Sequence, residues 1–166
     1  LARAIKCYLT GKDGDRFVGY PLGKATTKLI VKQSVKAVRP FAVAAILREI
    51  TFTPDVYDAF IELQDKLHNG IGRKRTIVSM GTHDLDTISG PFSFEALKPE
   101  DIQFCPLNQQ KTMNGRELME HYETDLKLKR FLPIIRDSPV YPVILDSRRT
   151  VCSLPPNINS DLSKIK

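Results

Sequence analysis

Apolar positions recur along this chain at several spacings, and each spacing predicts a different kind of element. Leu1, Ile5 and Leu9 stand four apart and predict a helix end in "LARAIKCYL". Val56, Phe60, Ile61, Leu63 and Leu67 form a stripe that predicts a helix over residues 53–70. Thr53 is its N-cap, Pro54 takes the first helical position, Asp55 complements the dipole and Gly70 ends it. Asn114, with Glu117 three residues later, has capping-box spacing. It predicts a second helix through "RELMEHYETDLKLKRFL", stopping near Pro133. Shorter apolar runs predict strands. These are "TKLIVKQS", pieces of "FSFEALKPEDIQFCPLNQQK", and two strands in "VYPVILDSRRTVCSL" joined by a turn over Asp146–Arg149. "VRPFAVAAILREITF" fits either period, but its length and the pre-proline Arg39 favour a buried strand. "IGRKRTIVSM" passes from basic loop to strand, while "TGKDGDRFVGYPLGK" and the opening of "PPNINSDLSKIK" are loops. Helices and strands mix without strict βαβ alternation, so the predicted class is α+β.

Composition narrows this only a little. With 166 residues, 42% hydrophobic and 27% charged, the chain suits one globular domain rather than two or a disordered segment. The longest apolar run, "PFAVAAIL", is too short to span a bilayer, so no membrane role is expected. Cys7, Cys105 and Cys152 are scattered and odd in number, which argues against a disulfide framework and suits a reducing, cytoplasmic setting. A net charge of +6 leans toward an anionic partner, of which nucleic acid is the commonest. The start at Leu1 and the end at "SDLSKIK" are those expected of a piece of a longer polypeptide.

Candidate chemistry concentrates in "VSMGTHDLDTISGPF", where Thr82, His83, Asp84, Asp86 and Thr87 crowd together after Gly81. A metal site would need further ligands. His68 and His121 both fall on predicted helices, and no two histidines share a helix face, so no metal is expected. No GxSxG elbow accompanies Ser79, Ser153 or Cys152, and Cys152 suits a core position. The run Gly72–Arg75 carries Arg73, Lys74 and Arg75, which could meet a phosphate backbone or simply complement the preceding helix's C-terminus. By composition alone "GTHDLDT" is either an acid/base or recognition loop, or a turn capped by its own Asp and Thr side chains.

Four blocks then carry a resemblance: "VRPFAVAAILREI", "YDAFIELQDKLH", "MGTHDLDTISGPFSF" and "YPVILDS" followed by "VCSLPPNIN". In this order and spacing they resemble the beta subunit of the eukaryotic, cytosolic phenylalanyl-tRNA synthetase family, from about Arg39 to the end. The resemblance implies three segments: residues 1–10 end a preceding domain's helix, 11–38 form a connector and first strand, and 39–166 form the B3/B4 editing domain, cut short at its C-terminus. It implies a B3/B4-like α+β fold with mixed or antiparallel sheet layers and flanking helices.

The implied activity is hydrolysis of tyrosine mischarged onto phenylalanine tRNA. A pocket built for an apolar side chain rejects an isostere bearing a hydroxyl by only about a hundredfold, so a second, hydrolytic site is needed. Such a site needs a partner for the phenol, anchors for the substrate and a held water rather than a nucleophile. The implied site residues are Thr82, His83 and Asp84 on one loop and Ser153, Asn159 and Asp161 on the other, with Asn157 nearby. Arg73, Lys74 and Arg75 would approach tRNA phosphates. Asp161 falls near the glutamate of a bacterial "GExSxV"-like stretch, and Thr82 and His83 near a bacterial threonine–asparagine pair. A bacterial histidine meets Phe92 or Ser93 and has no counterpart, and part of the eukaryotic residue set should lie beyond Lys166. No cofactor is implied for this segment; ATP and Mg2+ serve the whole enzyme, an alpha2beta2 heterotetramer with the alpha subunit holding the synthetic site. The competing reading is a non-catalytic module that contacts tRNA or the alpha subunit. The two readings part on whether the two polar loops meet.

Overall fold

In a computed structural model the chain is described over residues 2–11 and 23–165. The loop predicted over residues 10–24 lies largely outside the described residues. Helix α1 (Ala2–Thr10) matches the predicted first helix, and its Ile5, Tyr8 and Leu9 are exposed.

The centre is a five-stranded mixed sheet. In spatial order its strands are β1 (Leu29–Val31), β2 (Phe92–Leu97), β5 (Tyr141–Leu145), β6 (Val151–Leu154) and β7 (Ile158–Asn159). Only β1 and β2 are parallel; every other pairing is antiparallel. A two-stranded ribbon, β3 (Gln103–Phe104) with β4 (Met113–Asn114), stands beside it. The α+β class and the mixed sheet with flanking helices are therefore as predicted.

Alternation along β5 sorts the two faces. Tyr141, Val143 and Leu145 enter the main core with Ile102, Phe104, Leu118 and Leu132, whereas Ile144 turns to a smaller cluster around Val35 and Phe94. Helix α3 (Gly115–His121) packs on the main core through Leu118 and Met119. Its capping box is present as predicted, with Asn114 accepting from the Arg116 and Glu117 amides and Glu117 accepting from Asn114 N.

The predicted long second helix is not continuous. It ends at His121, and short 3₁₀ segments at Tyr122–Thr124 and Lys129–Ile134 follow, the latter containing Pro133. Asp125 explains the break: it is extended, and its carboxylate accepts from the amides of Lys127 and Leu128 at 2.8 and 2.7 Å. A side chain that binds the backbone this way competes with helix continuation.

Helix α2 (Pro54–Asn69) matches the prediction from Thr53, which accepts from Val56 N, to Gly70. Its contacts are unexpected. Val56 and Leu63 of the apolar stripe are exposed, while His68 is 3% exposed and Gln64 half-buried.

Two strand predictions fail. Residues 39–53 and 76–80 form no ladder, and Phe41, Val43, Leu47 and Ile50 are exposed. In the second stretch side chains occupy backbone groups a ladder would use. The Arg39 guanidinium donates to the carbonyls of Arg75, Thr76 and Ile77 at 3.2–3.5 Å, and Met80 is bound by side chains of α2.

Candidate functional site

The polar loops from the two halves of the chain meet at the far end of the sheet. Strand β6 begins the arrangement. Ile144 pairs with Ser153 but Leu145 with Val151, so Cys152 is an extra residue and β6 carries a bulge. Val151 and Leu154 therefore both reach the main core, and Ser153 between them faces the other way. Across the next pairing Ser153 stands opposite Asn159, and its Oγ donates to Asn159 Oδ1 at 2.9 Å. The Asn159 amide then donates to Thr82 O at 3.3 Å. Thr82 Oγ1 in turn donates to Gln64 Oε1 on α2 at 3.1 Å.

His83 completes the join. Its Nδ1 lies 2.8 Å from Ser163 Oγ, and Asp84 N donates to Ser163 O at 2.9 Å. Burial pushes the His83 imidazole down to about 4, so the ring is neutral at physiological pH. Gly81 sits where these groups converge. A Cβ there would lie 2.9 Å from Asn159 Oδ1 and 3.1 Å from His83 Nε2, so any side chain would displace the Asn159 amide. The cluster is graded in depth: Ser153 and Ser163 are buried, Thr82, His83 and Asn159 are half-buried, and Gly81 is exposed at the lip.

The two acidic residues are engaged elsewhere. Asp84 caps a short 3₁₀ turn, Leu85–Thr87, by accepting from Asp86 N, and its carbonyl accepts from Thr87 Oγ1 at 2.7 Å. "GTHDLDT" thus divides: Gly81–His83 belong to the cluster, and Asp84–Thr87 are the capped turn. Asp161 accepts from Asn108 N at 2.9 Å, and its own amide donates to Cys105 O. Its carboxylate braces the Cys105–Asn108 loop, whereas His83 joins Ser163. Asn157 is buried, with its amide against Met119 Sδ.

The basic run also divides. Arg73, Lys74 and Arg75 all have positive φ, at 44°, 54° and 67°. Arg73 and Lys74 are exposed. Arg75 turns inward, 4.2 Å above the Phe131 ring, and reaches the carbonyls of Pro156 and Asn157 at 3.4 Å. Cys152 is 1% exposed with its thiol pushed up to about 11 by burial, so it is inert. Among the described residues no three His, Cys, Asp or Glu side chains come together to hold a metal ion. A shallow cleft lined by Val38–Phe41, Thr76 and Ile77 shares no residue with the cluster.

Sequence reasoning missed Gly81, Gln64 and Ser163 as members of this site. The only available signal for Gln64 was its place one turn before His68, on a helix read for its apolar stripe.

No protein-family model matches the chain. Individual proteins do. It is 53% identical over its full length to a phenylalanine–tRNA ligase beta subunit of Dictyostelium discoideum, covering 27% of that protein. It is 61% identical over 82% of its length to the Drosophila melanogaster beta subunit, covering 23% of it. The Caenorhabditis elegans beta subunit is 58% identical over 99% of the chain. The chain thus spans about a quarter of the length of the curated relatives it matches. Among solved structures, the crystal structure of an N-terminal fragment of the Pyrococcus horikoshii phenylalanyl-tRNA synthetase beta subunit matches with a TM-score of 0.79 and 28% identity, over 89% of this chain and 42% of that one. With more than half of its residues identical to these eukaryotic proteins and its fold shared with the archaeal fragment, the chain belongs to the phenylalanine–tRNA ligase beta-subunit family.

Proposed function

We propose that the cluster at Gly81 hydrolyses the ester of tyrosine mischarged onto phenylalanine tRNA, as the editing site of a phenylalanine–tRNA ligase. The observation that carries this reading is the hydrogen-bonded chain of Ser153, Asn159 and Thr82, with His83, tied to Ser163, beside it at the solvent-exposed Gly81. Ester hydrolysis by a held water needs orientation and polar anchors more than a nucleophile. His83, tied through Nδ1 to Ser163, presents Nε2 beside Gly81. A ring held near 4 is a poor proton store at neutral pH, so its role is to orient the water. Asn159, aimed by Ser153 and Thr82, keeps a free lone pair and N–H for the phenol or the terminal ribose. Asp161 braces the Asn108 loop and acts at one remove. Arg73 and Lys74 are the exposed cations for tRNA phosphates.

In this reading the chain works within a larger cytoplasmic ligase, with an alpha subunit in an alpha2beta2 heterotetramer that uses ATP and Mg2+ for synthesis. The test is hydrolysis of tyrosyl-tRNA for phenylalanine by the complete ligase. Asn159→Ala and His83→Ala should each slow it by about tenfold or more, and Asp161→Asn by a smaller factor. Unchanged hydrolysis in both of the first two variants would overturn the reading in favour of a purely tRNA-binding module.

A further inference from the structure

Helix α2 turns two polar side chains, one helical turn apart, onto a single residue of the site loop. His68 Nε2 accepts from Met80 N at 2.8 Å. Gln64 Nε2 donates to Met80 O at 3.3 Å. Both backbone groups of Met80 are thus satisfied by side chains, in a stretch whose sequence favours a strand but which has no ladder partner. Gln64 is bidentate in function: its other amide atom, Oε1, receives the Thr82 hydroxyl at 3.1 Å. Thr82 is then gripped from two sides, by Gln64 at its hydroxyl and by Asn159 at its carbonyl. Gly81 lies between the two clamped residues, close enough to the site that a Cβ on it would crowd Asn159 Oδ1 and His83 Nε2.

From this geometry we infer that Gln64 and His68 are positioning residues of the hydrolytic site, fixing the Met80–His83 loop against Asn159. The inference rests on the editing reading given above. Its physical basis is that an unladdered loop would otherwise move by the ångström that a water-orienting site does not tolerate. The acceptor role of His68 requires a neutral ring protonated at Nδ1, and that atom lies 4.0 Å from Asp65 Oδ1. Burial first, and the Arg75 charge second, hold this histidine below its usual pKa, which keeps the ring neutral. The helix stripe read from sequence as packing thus has a second, polar face. A helical spacing of four places Gln64 and His68 side by side on it.

The experiment uses the complete ligase and tyrosyl-tRNA for phenylalanine, with kcat and KM measured separately. Gln64→Leu removes both amide contacts, and His68→Leu removes the acceptor for Met80. Each should lower kcat for hydrolysis by about tenfold with KM within about twofold of the parent. His68→Gln, whose amide oxygen can reach the place of Nε2, should recover most of the loss. The loss in the double variant Gln64→Leu/Thr82→Val should be smaller than the product of the two single losses, because the two changes share the Gln64–Thr82 contact while the Met80 contact belongs to Gln64 alone. If His68→Leu fails to fold, as judged by its thermal melt, the half-buried Gln64 decides the matter. A parent that hydrolyses tyrosyl-tRNA while Gln64→Leu keeps its kcat overturns the positioning role and leaves the editing reading standing. Additive losses in the double variant would likewise refute action through Thr82. A parent with no hydrolysis overturns both.

Discussion

His83 illustrates how burial sets the chemistry of a single side chain. Its imidazole is held at about 4, against an ordinary value near 6.5, so the unfolded chain binds more protons than the folded one between these values. Stability is therefore full above about pH 6.5 and falls as pH drops toward 4, by up to about 3 kcal/mol for a shift of this size. Chemical denaturation at pH 7 and pH 4.5 should show the difference, and His83→Asn should reduce this part of the pH dependence. Gly81 is as constrained by its neighbours as His83 is by burial. Gly81→Ala would bring a methyl group to 2.9 Å from Asn159 Oδ1, so the amide must swing away from Thr82 O and Ser153. On the proposed reading hydrolysis should fall about tenfold while the melting temperature changes by only a few degrees. Of these two residues the sequence motif named the histidine as a candidate and the glycine only as the residue before the polar cluster, because a close approach from residue 159 leaves no local trace.

At the level of elements, the caps behaved as their residues foretell. Thr53→Ala should cost about 1 kcal/mol in a denaturation titration, since Val56 N would lose its only side-chain acceptor at the start of α2. The basic run after α2 is where local reading and structure diverge. Arg75 packs on Phe131 and donates to Pro156 and Asn157 O, bridging α2's end to the turn before β7. Arg75→Ala should therefore destabilise the protein by about 1–3 kcal/mol. Arg73→Ala/Lys74→Ala should leave the melt unchanged and, on the proposed reading, weaken tRNA binding with a shallower salt dependence, measurable by filter binding at two salt concentrations. Three consecutive positive φ angles turn the third cation inward, and a run of identical charges gives no hint of such a turn.

Across the whole molecule, what the sequence alone determined was the set of features that depend on neighbours within a turn or a hairpin. The span and N-cap of α2, the Asn114 capping box, the Asp146–Arg149 hairpin and the α+β class all follow from spacing, capping and turn chemistry. The family resemblance brought Thr82, His83, Ser153 and Asn159 forward as candidates. Tertiary structure alone decided which of them meet. The bulge at Cys152 aims Ser153 at Asn159, and residues nearly eighty positions apart are joined by the Asn159–Thr82 and Ser163–His83 bonds. It also decided that 39–53 and 76–80 form no ladder; in the second stretch Arg39, Gln64 and His68 take backbone groups of Thr76, Ile77 and Met80 that a partner strand would have used. The reason is one of range. A cap or a helical stripe is satisfied by residues a few positions away. A bulge, a strand partner or a polar cluster is satisfied by whatever distant segment the fold delivers, and that identity is written in no single stretch of the chain.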